Sequence, residues 1–173
     1  MSDEQEGATP MSEMLVGGPG ATAQSSSDPS PITHHPSPLF SHPVRIYWED
    51  TDAGGIVYYA NYLKFMERAR TEWLRALGVE QETLQAEQGL MFVVVHADVS
   101  FRKPARYGDS LQVTCELDER SRASMTFRQR VLRETTHEVL VEGLVRIACL
   151  DAQKLKPRGL PEIVTREIAG GVG

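Results

Sequence analysis

One long helical stripe, followed by a series of strand-like runs with no helix between them, leaves this chain few architectures to fold into. Tyr62, Met66, Ala69, Trp73 and Leu77 recur every three or four residues, Leu63 and Leu74 widen the stripe, and Lys64, Arg68 and Arg75 fall on another face. This pattern predicts an amphipathic helix of about five turns, stopped at Gly78. A shorter helix is expected over 81–88. Strands are expected over 91–102, 110–117, 124–132 and 138–150, preceded by Val44-Arg45-Ile46-Tyr47-Trp48 as a first strand. The clearest run alternates Leu111, Val113, Cys115 and Leu117 with Gln112, Thr114, Glu116 and Asp118, which puts the apolar groups on one sheet face. A doubly wound fold would need helices between the later strands. An antiparallel sheet of about five strands curled around the one long helix buries both apolar surfaces, so the expected class is α+β. Segments 103–109 and 118–122 are short enough to join antiparallel neighbours.

Apolar residues become plentiful only after about residue 43. Residues 1–41, mainly Ser, Pro, Gly, Glu and Ala, are expected to form a disordered tail, with the domain over 42–163 and a flexible C-terminal tail over 164–173. A net charge of -6 argues against general affinity for nucleic acid or anionic membrane. No apolar run is long enough to span a bilayer, and the first residues lack the basic start and apolar middle of a signal peptide. Cys115 and Cys149 sit in apolar runs without metal-ligand spacing and read as ordinary buried thiols in a reducing cytoplasm. His34 and His35 are adjacent with no further ligands, which favours a solvated loop over a metal site.

Chemistry concentrates where strand passes into helix, at Glu49-Asp50-Thr51-Asp52-Ala53-Gly54-Gly55. The glycines let backbone approach a ligand without Cβ obstruction. The first helical turn that follows leaves N–H donors with no intrahelical acceptor. Together with the positive end of the helix dipole, these donors favour negative charge developing on a carbonyl oxygen. Asp52 beside them is a candidate nucleophile or general base, kept ionised by the donors against the pull of burial. The competing reading is a plain helix start in which Asp50, Thr51 or Asp52 caps backbone donors. A calcium loop is rejected, because Gly54 stands where a third oxygen ligand belongs and Asn61 where a bidentate Glu belongs. The G-x-S-x-G, G-x-x-x-x-G-K and H-E-x-x-H signatures are absent from the sequence. Glu67 is a possible second carboxylate, but Arg70 at i+3 makes an ion pair the simpler use.

From Tyr47 through Tyr62, then Glu67-Arg68-Ala69-Arg70-Thr71, the sequence resembles the 4-hydroxybenzoyl-CoA thioesterase branch of the hotdog superfamily, and most closely its Tol-Pal-associated acyl-CoA thioesterases. The similarity continues through Phe101-Arg102-Lys103-Pro104-Ala105-Arg106-Tyr107-Gly108-Asp109 and Leu155-Lys156-Pro157-Arg158-Gly159-Leu160-Pro161, covering about residues 43–163. The resemblance implies that Asp52 is catalytic and that the Tyr59 backbone N–H polarises the thioester carbonyl. It implies that Gly54, Gly55, Ile56, Val57 and Tyr58 meet the substrate. It also implies a sheet wrapped around the helix and paired protomers, as a homodimer or homotetramer, with sites at their interface. Members of the Tol-Pal group often carry His where this chain has Tyr59, so no side-chain role transfers there.

The implied reaction is hydrolysis of acyl-CoA, or of an acyl-carrier-protein thioester, without metal or other cofactor. Arg102, Lys103 and Arg106, or Lys154, Lys156 and Arg158, are the cations expected near the CoA phosphates. A non-catalytic CoA-binding module, a hotdog hydratase or dehydratase, and an interaction protein of the cell envelope are the alternatives.

Overall fold

Helix α1 (Tyr59–Ala76) forms where the stripe predicts it and begins one turn earlier. Its inward face carries Tyr62, Phe65, Met66, Ala69, Trp73 and Leu74, all buried. Phe65 completes this face and Leu63 leaves it, being 41% exposed, because a helix meeting a curved sheet buries only the side chains aimed at the concavity. Full burial of a side chain such as Phe65 or Met66 contributes about 2 kcal/mol. The helix ends at the expected glycine: Gly78 takes φ +76, its N–H donates to Arg75 O at 2.8 Å, and Val79 N–H donates to Leu74 O at 3.0 Å. These two bonds satisfy carbonyls that the helix itself leaves open. Helix α2 (Gln81–Gln88) follows over the predicted residues.

The computed structural model describes residues 40–170. Five strands, β1 (Phe40–Arg45), β2 (Leu90–Phe101), β3 (Ser110–Arg120), β4 (Ser124–Arg133) and β5 (Val139–Asp151), form one antiparallel sheet in the order β1-β3-β4-β5-β2. Leu111, Val113 and Cys115 of β3, Met125, Phe127 and Val131 of β4, and Val141, Val145 and Ile147 of β5 are buried in one core with α1. Trp73 stands edge-on to Phe127 with ring centroids 5.0 Å apart. At Gly143 the helix comes so near the sheet that an added Cβ would lie 3.1 Å from Met66 Sδ. Register shifts between Val94 and His96 and between Leu117 and Glu119 mark bulges, which add local twist and bend their strands. Cys115 and Cys149 are buried free thiols, as expected, and burial pushes the Cys115 thiol up to about 12.

Several boundaries differ from the sequence reading. The first strand runs 40–45 instead of 44–48, and Trp48–Asp50 form a 3₁₀ turn. Pro43 lies inside β1 without penalty because β1 is an edge strand, where no second ladder needs its missing N–H. Segment 102–109 does not join neighbours. It carries the chain from β2 at one edge to β3 near the other, whereas 121–123 does close the adjacent pair β3 and β4. The disordered tail expected over 1–41, with His34 and His35, lies outside the described residues except for Phe40 and Ser41, which belong to β1. Of the flexible tail expected over 164–173, residues 164–170 belong to helix α3 (Glu162–Gly170), with Val164 fully buried in the core, and 171–173 lie outside the described residues. No helix among the described residues is long and apolar enough to cross a membrane.

Candidate active site

The Asp52 loop is a tight hairpin that feeds directly into α1. Thr51 pairs with Val57, Asp52 N–H donates to Ile56 O at 2.9 Å, and Gly55 N–H donates to Asp52 O at 3.0 Å. Gly55 has φ +70, which a side chain would resist. Gly54 serves the carboxylate itself: its N–H donates to Asp52 Oδ1 at 2.8 Å, and a Cβ here would stand 3.0 Å from that oxygen. One oxygen of Asp52 therefore holds the hairpin turn and does not cap α1, whose N-cap residue Tyr58 makes no side-chain cap bond. No residue among those described donates a hydrogen bond to the other oxygen, Oδ2.

The loop is tied to the helix by residues whose roles the sequence reading left unassigned. Asp50 Oδ2 accepts from Tyr47 N–H at 2.9 Å, while Asp50 O accepts from Tyr58 N–H and from Asn61 Nδ2, both at 2.9 Å. Asn61 is buried in the first turn of α1. A polar side chain on the inward side of an apolar stripe was the available signal, since buried amides are kept where they have partners. Buried Tyr62 reaches the opposite loop, where its hydroxyl accepts from Ala105 N–H at 2.8 Å. Burial raises the pKa of this phenol, the largest of several influences, so it stays protonated. Val57 N–H donates to Ala105 O at 2.9 Å, and Ile56 pairs with Arg106. Segment 102–109 is thereby locked against the hairpin and the helix start.

Between these parts opens a cleft of about 250 Å³, lined by Ile56, Val57, Tyr59, Tyr62, Phe101, Arg102, Lys103 and Pro104. Among the described residues, nothing accepts a hydrogen bond from the Tyr59 N–H, the first donor of α1. Of the sequence-predicted site, Ile56, Val57, Tyr59, Arg102 and Lys103 line the cleft, while Asp52, Gly54, Gly55, Tyr58 and Arg106 do not. Asp52 is exposed, so the expected burial is not met. Arg102 Nη2 lies 2.5 Å from Glu142 Oε2, and Lys103 pairs with Glu138. Among the described residues, Arg106 forms no side-chain ion pair. Arg158 pairs with Asp151 at 3.1 Å.

Glu67 and Arg70 do not form the expected ion pair. Glu67 accepts from Thr71 Oγ1 at 2.7 Å. Arg70 turns inward, buried, and its Nη1 donates to Gln129 Oε1 at 2.7 Å, while Gln129 Nε2 donates to Met66 O at 2.9 Å. Burial lowers the Arg70 pKa.

A sheet curled around one helix, with a glycine hairpin entering the helix start, defines the hotdog class. The profile of the thioesterase-like superfamily matches residues 46–168, and the chain belongs to that family. It is 47% identical over 125 residues to the acyl-CoA thioesterase YbgC of Haemophilus influenzae, covering 72% of this chain and 90% of the relative. It is 43% identical over 129 residues to the acyl-CoA thioester hydrolase YbgC of Escherichia coli O6:H1, covering 75% and 95%. Its fold is similar to the crystal structure of Slr0204, a 1,4-dihydroxy-2-naphthoyl-CoA thioesterase from Synechocystis, with a TM-score of 0.71 at 22% identity over 76% of this chain and 96% of that one. The protein is thus an enzyme of the thioester-hydrolase class.

Proposed function

We propose that this chain hydrolyses acyl-CoA to a free carboxylic acid and CoA. The carrying observation is the unpaired Tyr59 N–H at the mouth of an apolar cleft, at the end of a hairpin that presents an uncommitted oxygen of Asp52. The thioester carbonyl oxygen sits against that N–H, where the helix dipole and the donor stabilise the negative charge of the tetrahedral state. Asp52 either attacks the acyl carbon, giving a mixed anhydride that water opens, or takes a proton from the attacking water. In both routes the C–S bond breaks, the sulfur leaves as thiolate and is protonated, and water supplies the acid's new oxygen. Because a thiolate leaves readily, positioning and charge stabilisation are the main demands, and no metal or redox group enters the scheme. Acyl-carrier-protein thioesters present the same reacting group.

The site works in a pair of chains. Among the described residues β2 is an edge strand, carrying Val94 and Val95, 52% and 51% exposed, and its last residue Phe101 stands exposed edge-on to exposed Tyr59, ring centroids 6.2 Å apart. A second copy seated there covers these groups. Arg106, unpaired among the described residues, is the first candidate for a CoA phosphate, ahead of the neutralised Arg102 and Lys103.

Thiol release from acyl-CoA tests the assignment. Asp52→Asn is expected to lose activity by about 10²- to 10⁴-fold while melting as the parent does. Full activity in a folded variant rejects the role of Asp52. Binding of CoA without turnover in the parent would make the chain a binding module.

A further inference from the structure

One exposed aromatic pair has no part in the reaction described above. Trp48 and Tyr107 stack with ring centroids 4.4 Å apart and planes 13° from parallel, yet they remain 70% and 53% exposed. Each ring rides on a turn fixed by backbone bonds. Trp48 opens the 3₁₀ turn, with its carbonyl accepting from Thr51 N–H at 3.1 Å and Thr51 Oγ1 at 2.9 Å. Tyr107 tops the turn closed by Asp109 N–H to Arg106 O at 3.1 Å, with Gly108 at φ +84. The turns are laced together by Gly108 N–H to Ile46 O at 3.1 Å and Ile46 N–H to Asp109 O at 3.0 Å. A rigid aromatic face held in water loses little freedom on receiving a flat ligand, which makes stacking on it efficient.

Its neighbours identify the ligand. Arg106, in the same turn as Tyr107, pairs through its backbone with Ile56, which lines the cleft. From the cleft outward the backbone therefore leads from the lining residue Ile56 to Arg106, which has no ion-pair partner among the described residues, and on to Tyr107 of the aromatic face. Asp109, the acid of this turn, is committed to Arg133 and to the Arg106 N–H. Glu49 is the exposed acid on the Trp48 side. A thioester with an adenine nucleotide at its far end has the same order of parts: acyl and pantetheine arm, phosphates, base. We propose that the Trp48–Tyr107 face stacks the adenine of CoA and that Arg106 holds its phosphates. This rests on the acyl-CoA reading above and adds a seat for the nucleotide.

Trp48 reports on the test directly, because the only other tryptophan, Trp73, is buried against Phe127. Titrating the parent protein with CoA should quench the exposed tryptophan emission, and pantetheine, which lacks the nucleotide, should not. In Trp48→Leu, the KM for an acyl-CoA should rise about tenfold relative to the KM for the matching acyl-pantetheine, the effect of losing one aromatic–base stack. Tyr107→Leu should shift the same ratio and stands in if the first variant fails to fold. An unchanged ratio in both folded variants, or equal quenching by pantetheine, overturns the inference. So does emission that follows protein concentration and ignores CoA, which would mean that a second copy covers the rings. Failure to hydrolyse either thioester would instead sink the thioesterase reading, which the ratio does not measure.

Discussion

The two ends of α1 are built by opposite solutions. At the C-terminal end the helix is closed in three ways: a left-handed Gly78, the paired bonds to Arg75 and Leu74 carbonyls, and buried Leu77 and Val79 covering the last turn. At the N-terminal end Tyr58 supplies no side-chain cap, the Tyr59 N–H has no acceptor among the described residues, and Tyr58 and Tyr59 stand 45% and 59% exposed. Leaving a helix donor open gives up the stability a cap would add, about 1 kcal/mol. The middle of the helix covers that loss with its packed face. The difference separates the end that holds the fold from the end offered to a ligand.

Removing the open donor itself is the strongest way to break this comparison. Proline is tolerated at the first helical position, and Tyr58 at φ -59, ψ 128 already has the backbone that precedes a proline. Tyr59→Pro should therefore fold and melt near the parent while kcat falls about 10²- to 10³-fold. Tyr59→Ala keeps the N–H and should keep most of kcat. Equal losses in the two variants would assign the effect to the ring and not to the donor. At the other end, Gly78→Ala should lose about 1 kcal/mol in urea unfolding with thiol release unchanged at low temperature, since the added Cβ meets only an ordinary contact at 3.9 Å and the cost is conformational. A drop in kcat there would show that the ends are not separate. The smallest effect concerns Glu138, whose carboxyl is held below its ordinary value chiefly by the hydrogen bond from Lys103. A depressed carboxyl contributes stability above its unfolded value and loses it as pH falls through the folded one. Glu138→Gln should lower the melting temperature slightly at neutral pH, with the difference fading in acid below the usual carboxylate range.

Much of this contrast was legible before folding. Gly78 after the last apolar residue marked the closed end, and acids with paired glycines ahead of the stripe marked the open one. Periodicity located α2 and the four later strands to within a few residues, because side chains alternate by local geometry alone. What escaped depended on distant partners. Arg70 looked like a partner for Glu67 at i+3, yet Gln129, 59 residues away in the chain, draws it inward. Tyr62 read as a stripe residue and Asn61 only as the residue that rules out a calcium loop, and their roles exist only because Asp50 and Ala105 come to them in space. The path of 103–109 was misjudged because loop length limits which strands are neighbours without choosing among them.

By itself the amino-acid order settled the types of α1, α2 and the four later strands, most of their apolar faces, and the glycine-rich acidic segment ahead of α1, since these follow from short-range sterics and residue spacing. Only the tertiary structure decided the strand order β1-β3-β4-β5-β2, the inward turn of Arg70, and which named residues share the cleft. Those features arise from contacts between segments far apart in the chain, and no local pattern encodes which partner will arrive.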